Sequence, residues 1–142
     1  MNGKILFVHD ENSRNDSVAA ALRHYCDVTV SSGVREAIRL LRSEVNFAEH
    51  RCSFNLIISP VHLDTQEGLT VFDLLTWAKR DPVIRQVPFL LLELEPDDVA
   101  TCIYGGVQAA AISLGASGCL SLNQFDEHQL MNTITRYLPV CD

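Results

Sequence analysis

Short apolar runs alternate along the chain with stretches in which apolar residues recur at three- and four-residue intervals, about five times over. The runs Lys4–Val8, Val28–Ser31, Leu56–Ser59, Val87–Leu92 and Gly118–Leu122 predict strands. Between them lie helical stripes. Val18, Ala21, Leu22 and Tyr25 follow a polar run, Asn12 to Asp16, that offers several caps. Val34, Ala37, Ile38 and Leu41 form a second stripe behind the turn Ser32-Gly33, and Val71, Leu74, Leu75 and Ala78 a third, ended by Asp81-Pro82. Pro96 suits a first helical position, with Asp97 and Asp98 at the positive end of the dipole. The long stripe Val99, Cys102, Ile103, Val107, Ala110, Ala111 and Leu114 follows, stopped by Gly115, with Gly105-Gly106 calling for a kink or a close helix contact. Asp126 caps a last helix through Leu130, Ile134, Tyr137 and Leu138, which Pro139 ends. Ser43 to Ser53 has no period and reads as a helix end followed by a loop, and Leu63 to Gly68 reads as another loop.

Five strand-helix units with right-handed crossovers give an α/β fold, an open doubly wound parallel sheet with helices on both faces. Leu56–Ser59 is its central strand, because a short apolar run bounded by polar turn formers is buried on both faces. Chemistry in such a sheet sits beyond the carboxyl ends of the strands. The residue just past the central run is Pro60.

Composition narrows the class. The 142 residues suit one domain, 1–142, and 47% hydrophobic with 20% charged residues is ordinary for a soluble protein. No run approaches a membrane span and the amino terminus has no signal-peptide layout, so the cytoplasm is expected. Five scattered cysteines without a CxxC pair read as isolated buried thiols rather than a disulfide framework or a zinc site. A net charge of −7 argues against direct nucleic-acid binding. After the first strand HDENSRND holds no glycine-rich turn, which disfavours a dinucleotide-binding enzyme.

Four segments together resemble one family: ILFVHDE at the first strand end, NLIISPVHLDTQEGL at the third, DPVIRQVPFLLLE through the fourth, and GASGCLSL followed by FDEHQL at the fifth. From Lys4 to Leu138 the chain is similar to the receiver domains of bacterial two-component response regulators, the CheY-like type. That resemblance implies a flavodoxin-like (βα)5 sheet of order 2-1-3-4-5. It also implies an aspartate at the third strand end that accepts a phosphoryl group from a histidine kinase, with Mg²⁺ on an acidic pair at the first strand end, a Thr or Ser on the fourth strand and a Lys on the fifth.

The chain departs from that set at each position. The acceptor position is Pro60, the acidic pair is His9-Asp10, Glu93 stands for the Thr or Ser, Leu122 for the Lys, and Cys119 for the aromatic switch residue. Aspartyl phosphate chemistry needs an ionised carboxylate, a divalent cation and a cationic partner for the product. Asp10 alone is a poor Mg²⁺ site, and Glu93 would repel a phosphoryl group. The expectation is a pseudo-receiver that is not an enzyme, takes no cofactor and is not phosphorylated at the usual place. Pro60 admits a second reading, as a strand terminator, since proline cannot donate to a ladder. His9, Asp10, His62, Asp64 and Glu93 share the crevice, but no helical or hairpin spacing imposes metal geometry, so no metal is expected. Glu93 is a candidate partner for His9 or His62, whereas Ser117 and Cys119 read as packing residues.

The span from Glu93 to Gly115 exceeds the receiver pattern by about two helical turns, which predicts a longer fourth helix around Ala100 to Val107. In receivers the face of the fourth helix, fifth strand and fifth helix docks partners. A protein partner there, with a possible homodimer, is expected, and with no output domain after Asp142 the chain reads as a stand-alone adaptor. The alternative is a flavodoxin-like domain holding a small molecule or metal in the altered crevice.

Overall fold

The computed structural model describes residues 3–9, 16–61, 68–94, 109–122 and 126–138. A five-stranded sheet is built from β1 (Lys4–His9), β2 (Asp27–Ser32), β5 (Leu56–Pro60), β6 (Phe89–Leu94) and β7 (Gly118–Leu122). Its order is β2-β1-β5-β6-β7 with every pairing parallel. Two short strands, β3 (Val45–Asn46) and β4 (Arg51–Cys52), form a separate antiparallel hairpin. With that hairpin set aside, the order is the 2-1-3-4-5 expected of a flavodoxin-like sheet.

Side-chain alternation along the strands divides the core into two layers. Leu6, Val8, Ile57, Phe89 and Leu91 pack against α2 (Val34–Ser43), α3 (Val71–Arg80) and Ala111 in the helical residues 109–113, α4. Ile5, Phe7, Leu56, Ile58, Leu90 and Leu92 face α1 (Asp16–Arg23) and α5 (Glu127–Ile134). All five residues of β5 are buried, as a strand covered on both faces requires. Each fully buried Leu, Ile or Phe contributes about 1.5–3 kcal/mol, so a one-residue slip, which would exchange the layers, is strongly disfavoured.

Helix ends follow local chemistry. Thr70 and Asp73 form a reciprocal capping box at the start of α3, a T-x-x-D pattern readable in the sequence. Asp126 accepts from the amides of His128 and Gln129 at 3.0 and 3.2 Å, capping α5 as expected. Gly115 has φ +106, and the bonds Ala116 N–H to Ala111 O and Gly115 N–H to Ile112 O close α4 as a Schellman motif.

Several boundaries differ from expectation. Ser43 to Ser53 carries the hairpin instead of a loop: two-residue strands are too short to leave a period, and His50 at φ 53 turns the chain. Tyr25 lies beyond the end of α1 and is 43% exposed rather than on the buried stripe. The fourth sheet strand begins at Phe89, not Val87, because Val87 closes a 3-10 turn at Ile84–Gln86. It continues through Glu93 to Leu94. α5 ends at Ile134, and Leu138 is buried from the turn that follows. The predicted caps Asn12 to Asn15, most of the Leu63–Gly68 loop and the helical stretch Pro96 to Val107 with its proposed extra turns lie outside the described residues.

Candidate functional site

The strand order reverses direction between β1 and β5, so the crevice at their carboxyl ends is the place to look for a site. Pro60 is the last residue of β5, level with Leu92 of β6, and buried. It lies inside the strand rather than just past it. Amides along a parallel strand alternate sides, and Val61 N–H bonds Leu92 O at 2.9 Å, so the nitrogen of Pro60 faces β1. There the β1–β5 register stops at Phe7↔Ile58, while the β5–β6 register runs on to Pro60↔Leu92. Proline thus ends one ladder and leaves the other intact. Its carbonyl accepts the hydroxyl of buried Ser59 at 3.0 Å, and the ring supplies no nucleophile.

His9 ends β1, and its Nε2 lies 2.7 Å from Asp16 Oδ1, the first residue of α1. Both groups are partly exposed, and an acid at this helix end is favoured by the dipole. By sequence Asp16 belongs to a capping run, and in the structure it is the first residue of α1 and the partner of His9. No motif or periodicity in the sequence pairs it with His9; the contact is seen only once the end of β1 and the start of α1 are placed together.

Glu93 is half-buried on β6, opposite Ser121 of β7. Leu122 is placed by its backbone register opposite Leu94, at the same end of the sheet. Cys119 sits lower, opposite Leu91, and packs on the core layer under α2 and α3. The structure therefore brings His9, Pro60, Glu93 and Leu122 to one sheet end and sets Cys119 below it. Asp10, His62 and Asp64 lie outside the described residues.

Among the described residues no group of three or more His, Cys, Asp or Glu side chains could hold a metal ion. A Mg²⁺ ion needs several oxygen ligands, usually one or two of them carboxylates. Here the end of β5 offers a proline, and Asp16 is engaged with His9. The described residues do not fit the ion.

No protein-family model and no curated protein sequence matches the chain. Solved structures do match it. A protein described as a response regulator from Chloroflexus aurantiacus superposes with a TM-score of 0.73 at 19% identity, over 96% of this chain and 98% of that one. The chemotaxis protein CheY4 of Vibrio cholerae gives 0.69 at 22%, over 97% and 100%. The fold is that of receiver domains. A third receiver-fold structure belongs to a sensor histidine kinase of Pseudomonas aeruginosa and holds magnesium in its active-site cleft; it gives 0.68 at 21%, over 96% and 98%.

Proposed function

We propose that this receiver-fold chain is a pseudo-receiver, a two-component-type signalling module whose output does not depend on phosphorylation of the strand-end crevice. The observation that carries the reading is Pro60, buried at the end of β5, where the resemblance calls for the phosphoacceptor. By the same resemblance, Glu93 on the adjacent β6 and Leu122 on β7 beyond it take the positions of the hydroxyl and the cation that would hold the phosphate. On this reading the module has no enzymatic activity of its own, and its surface is its output.

The partner surface proposed is the face of α4, β7 and α5. Ile112 on α4 and Leu114 just past its end are 49% and 41% exposed, apolar side chains that a protein partner would cover. Direct nucleic-acid binding is disfavoured by the net charge of −7. No described helix is long and apolar enough to cross a membrane, and the cytoplasm is the proposed location.

The test is a thermal scan with Mg²⁺ and beryllofluoride beside partner capture with and without acetyl phosphate. A ligand that binds the folded state raises the melting temperature, so a true receiver site reports itself. Expected are an unchanged melting temperature and equal capture, the latter lost in Ile112→Asp. Stabilisation by beryllofluoride, or capture that requires the phosphodonor, would overturn the proposal.

A further inference from the structure

The hairpin β3–β4 lies at the opposite, amino-terminal end of the sheet and is held there firmly. Glu44, which precedes it, pairs with Lys4 Nζ at 2.9 Å and accepts the Ser53 hydroxyl, while Ser53 N–H returns to Glu44 O. Lys4 also stands 5.0 Å over the ring of Phe54. On this fixed base the hairpin tip presents Phe47, 77% exposed and the most exposed large apolar side chain among the described residues. Arg51 and Cys52 of the hairpin's second strand open onto a cavity of about 200 Å³, whose lining continues through Phe54-Asn55, Val83 and Gln86 to Pro88. A cavity of about 150 Å³ accommodates benzene, so this one has room for a phenyl ring.

We infer that the hairpin is a self-association surface, each copy inserting Phe47 into the cavity of a second copy across a two-fold axis. Knob and hole belong to one patch: Phe47 follows Asn46, which pairs with Arg51 on the cavity wall. Such a patch is self-complementary, and exchange between two copies closes without leaving a free knob. Charge supports the same occupant. Glu49 and Arg51 flank the tip, and neither side chain is paired among the described residues. A two-fold contact that brings Glu49 to the partner's Arg51 makes the same ion pair a second time. The contact is small by the standard of stable dimers, about 1,200–2,000 Å², so association is weak and concentration-dependent. It leaves the α4, β7 and α5 face free and does not depend on the proposed signalling role.

Sedimentation velocity from micromolar to near-millimolar protein tests this, with circular dichroism to verify the fold. Wild-type mass should climb toward two chains, and Phe47→Asp, altering an exposed residue, should stay folded and associate at least about tenfold more weakly. Glu49→Arg and Arg51→Glu should each weaken association by setting like charges together, and the combined Glu49→Arg/Arg51→Glu variant should recover it. Wild-type protein that remains a single chain throughout overturns the inference, as does a dimer that survives Phe47→Asp or a double swap no better than its single components.

Discussion

Pro60 can be replaced by the residue that a receiver would carry. Pro60→Asp and Pro60→Asn both restore an amide facing β1 and both free the unfolded chain, so those contributions cancel between them and the charge remains. The position is buried, and none of the described strand residues at that end is Lys or Arg. Burial without a cation raises a carboxyl pKa above its usual value of about 3.9. A rise of one to two units makes Pro60→Asp less stable than Pro60→Asn at pH 7 by about 1.4–3 kcal/mol. For a chain of this length, with an unfolding entropy of about 0.3 kcal/mol/K, that is a difference of about 5–10 °C in melting temperature. The sign with pH is fixed. Because the folded pKa lies above the unfolded one, the penalty is complete above the folded value, shrinks as pH falls, and vanishes below about 3.9. Thermal melts of the two variants between pH 3.5 and pH 7 measure it (a range of about this width spans both pKa values). Equal stability at pH 7, or stabilisation of Pro60→Asp alone by Mg²⁺ and beryllofluoride, would refute the reasoning, since the crevice would then supply the missing cation.

Two further outcomes concern the scaffold. Gly115→Ala should cost about 1–2 kcal/mol in denaturant melts, because φ +106 is strained for alanine. The new Cβ would also meet Lys79 Cγ at 3.1 Å, and Lys79 cannot swing away without losing its bonds to Arg85 O and Val87 O at 3.1 and 3.3 Å. The Glu44 carboxyl is held below its ordinary range, first by the Ser53 hydroxyl and then by Lys4. Its contribution is therefore present above the unfolded value of about 4.3 and lost as pH falls through the folded one. Glu44→Gln should reduce stability at pH 7 by under about 1 kcal/mol, a difference that closes on acidification in paired melts.

The sheet was legible because burial on both faces forces runs such as Leu56–Ser59, and one-sided helices force stripes such as Val71, Leu74, Leu75 and Ala78. Strand ends were less so. Val87 looked like a strand residue by hydrophobicity, yet the 3-10 turn before it uses its amide, a choice made by tertiary context. The hairpin was invisible because its two-residue strands are too short to alternate and because Lys4, distant in the sequence, joins the flanking residues Glu44 and Ser53 in tying it down. At the crevice, residue identities gave the positions of Pro60, Glu93 and Leu122 through strand register, which a regular sheet makes predictable. The His9–Asp16 contact joins the end of β1 to the first residue of α1, and no periodicity encodes a contact between two elements.

The most direct measurement is intact mass spectrometry, with peptide mapping, of wild-type protein incubated with acetyl phosphate and Mg²⁺. Without an acceptor carboxylate at the end of β5, the mass should not change. A phosphoryl group added in good yield and mapped to the segments that end β1 or β5 would contradict a crevice that has lost its phosphate chemistry.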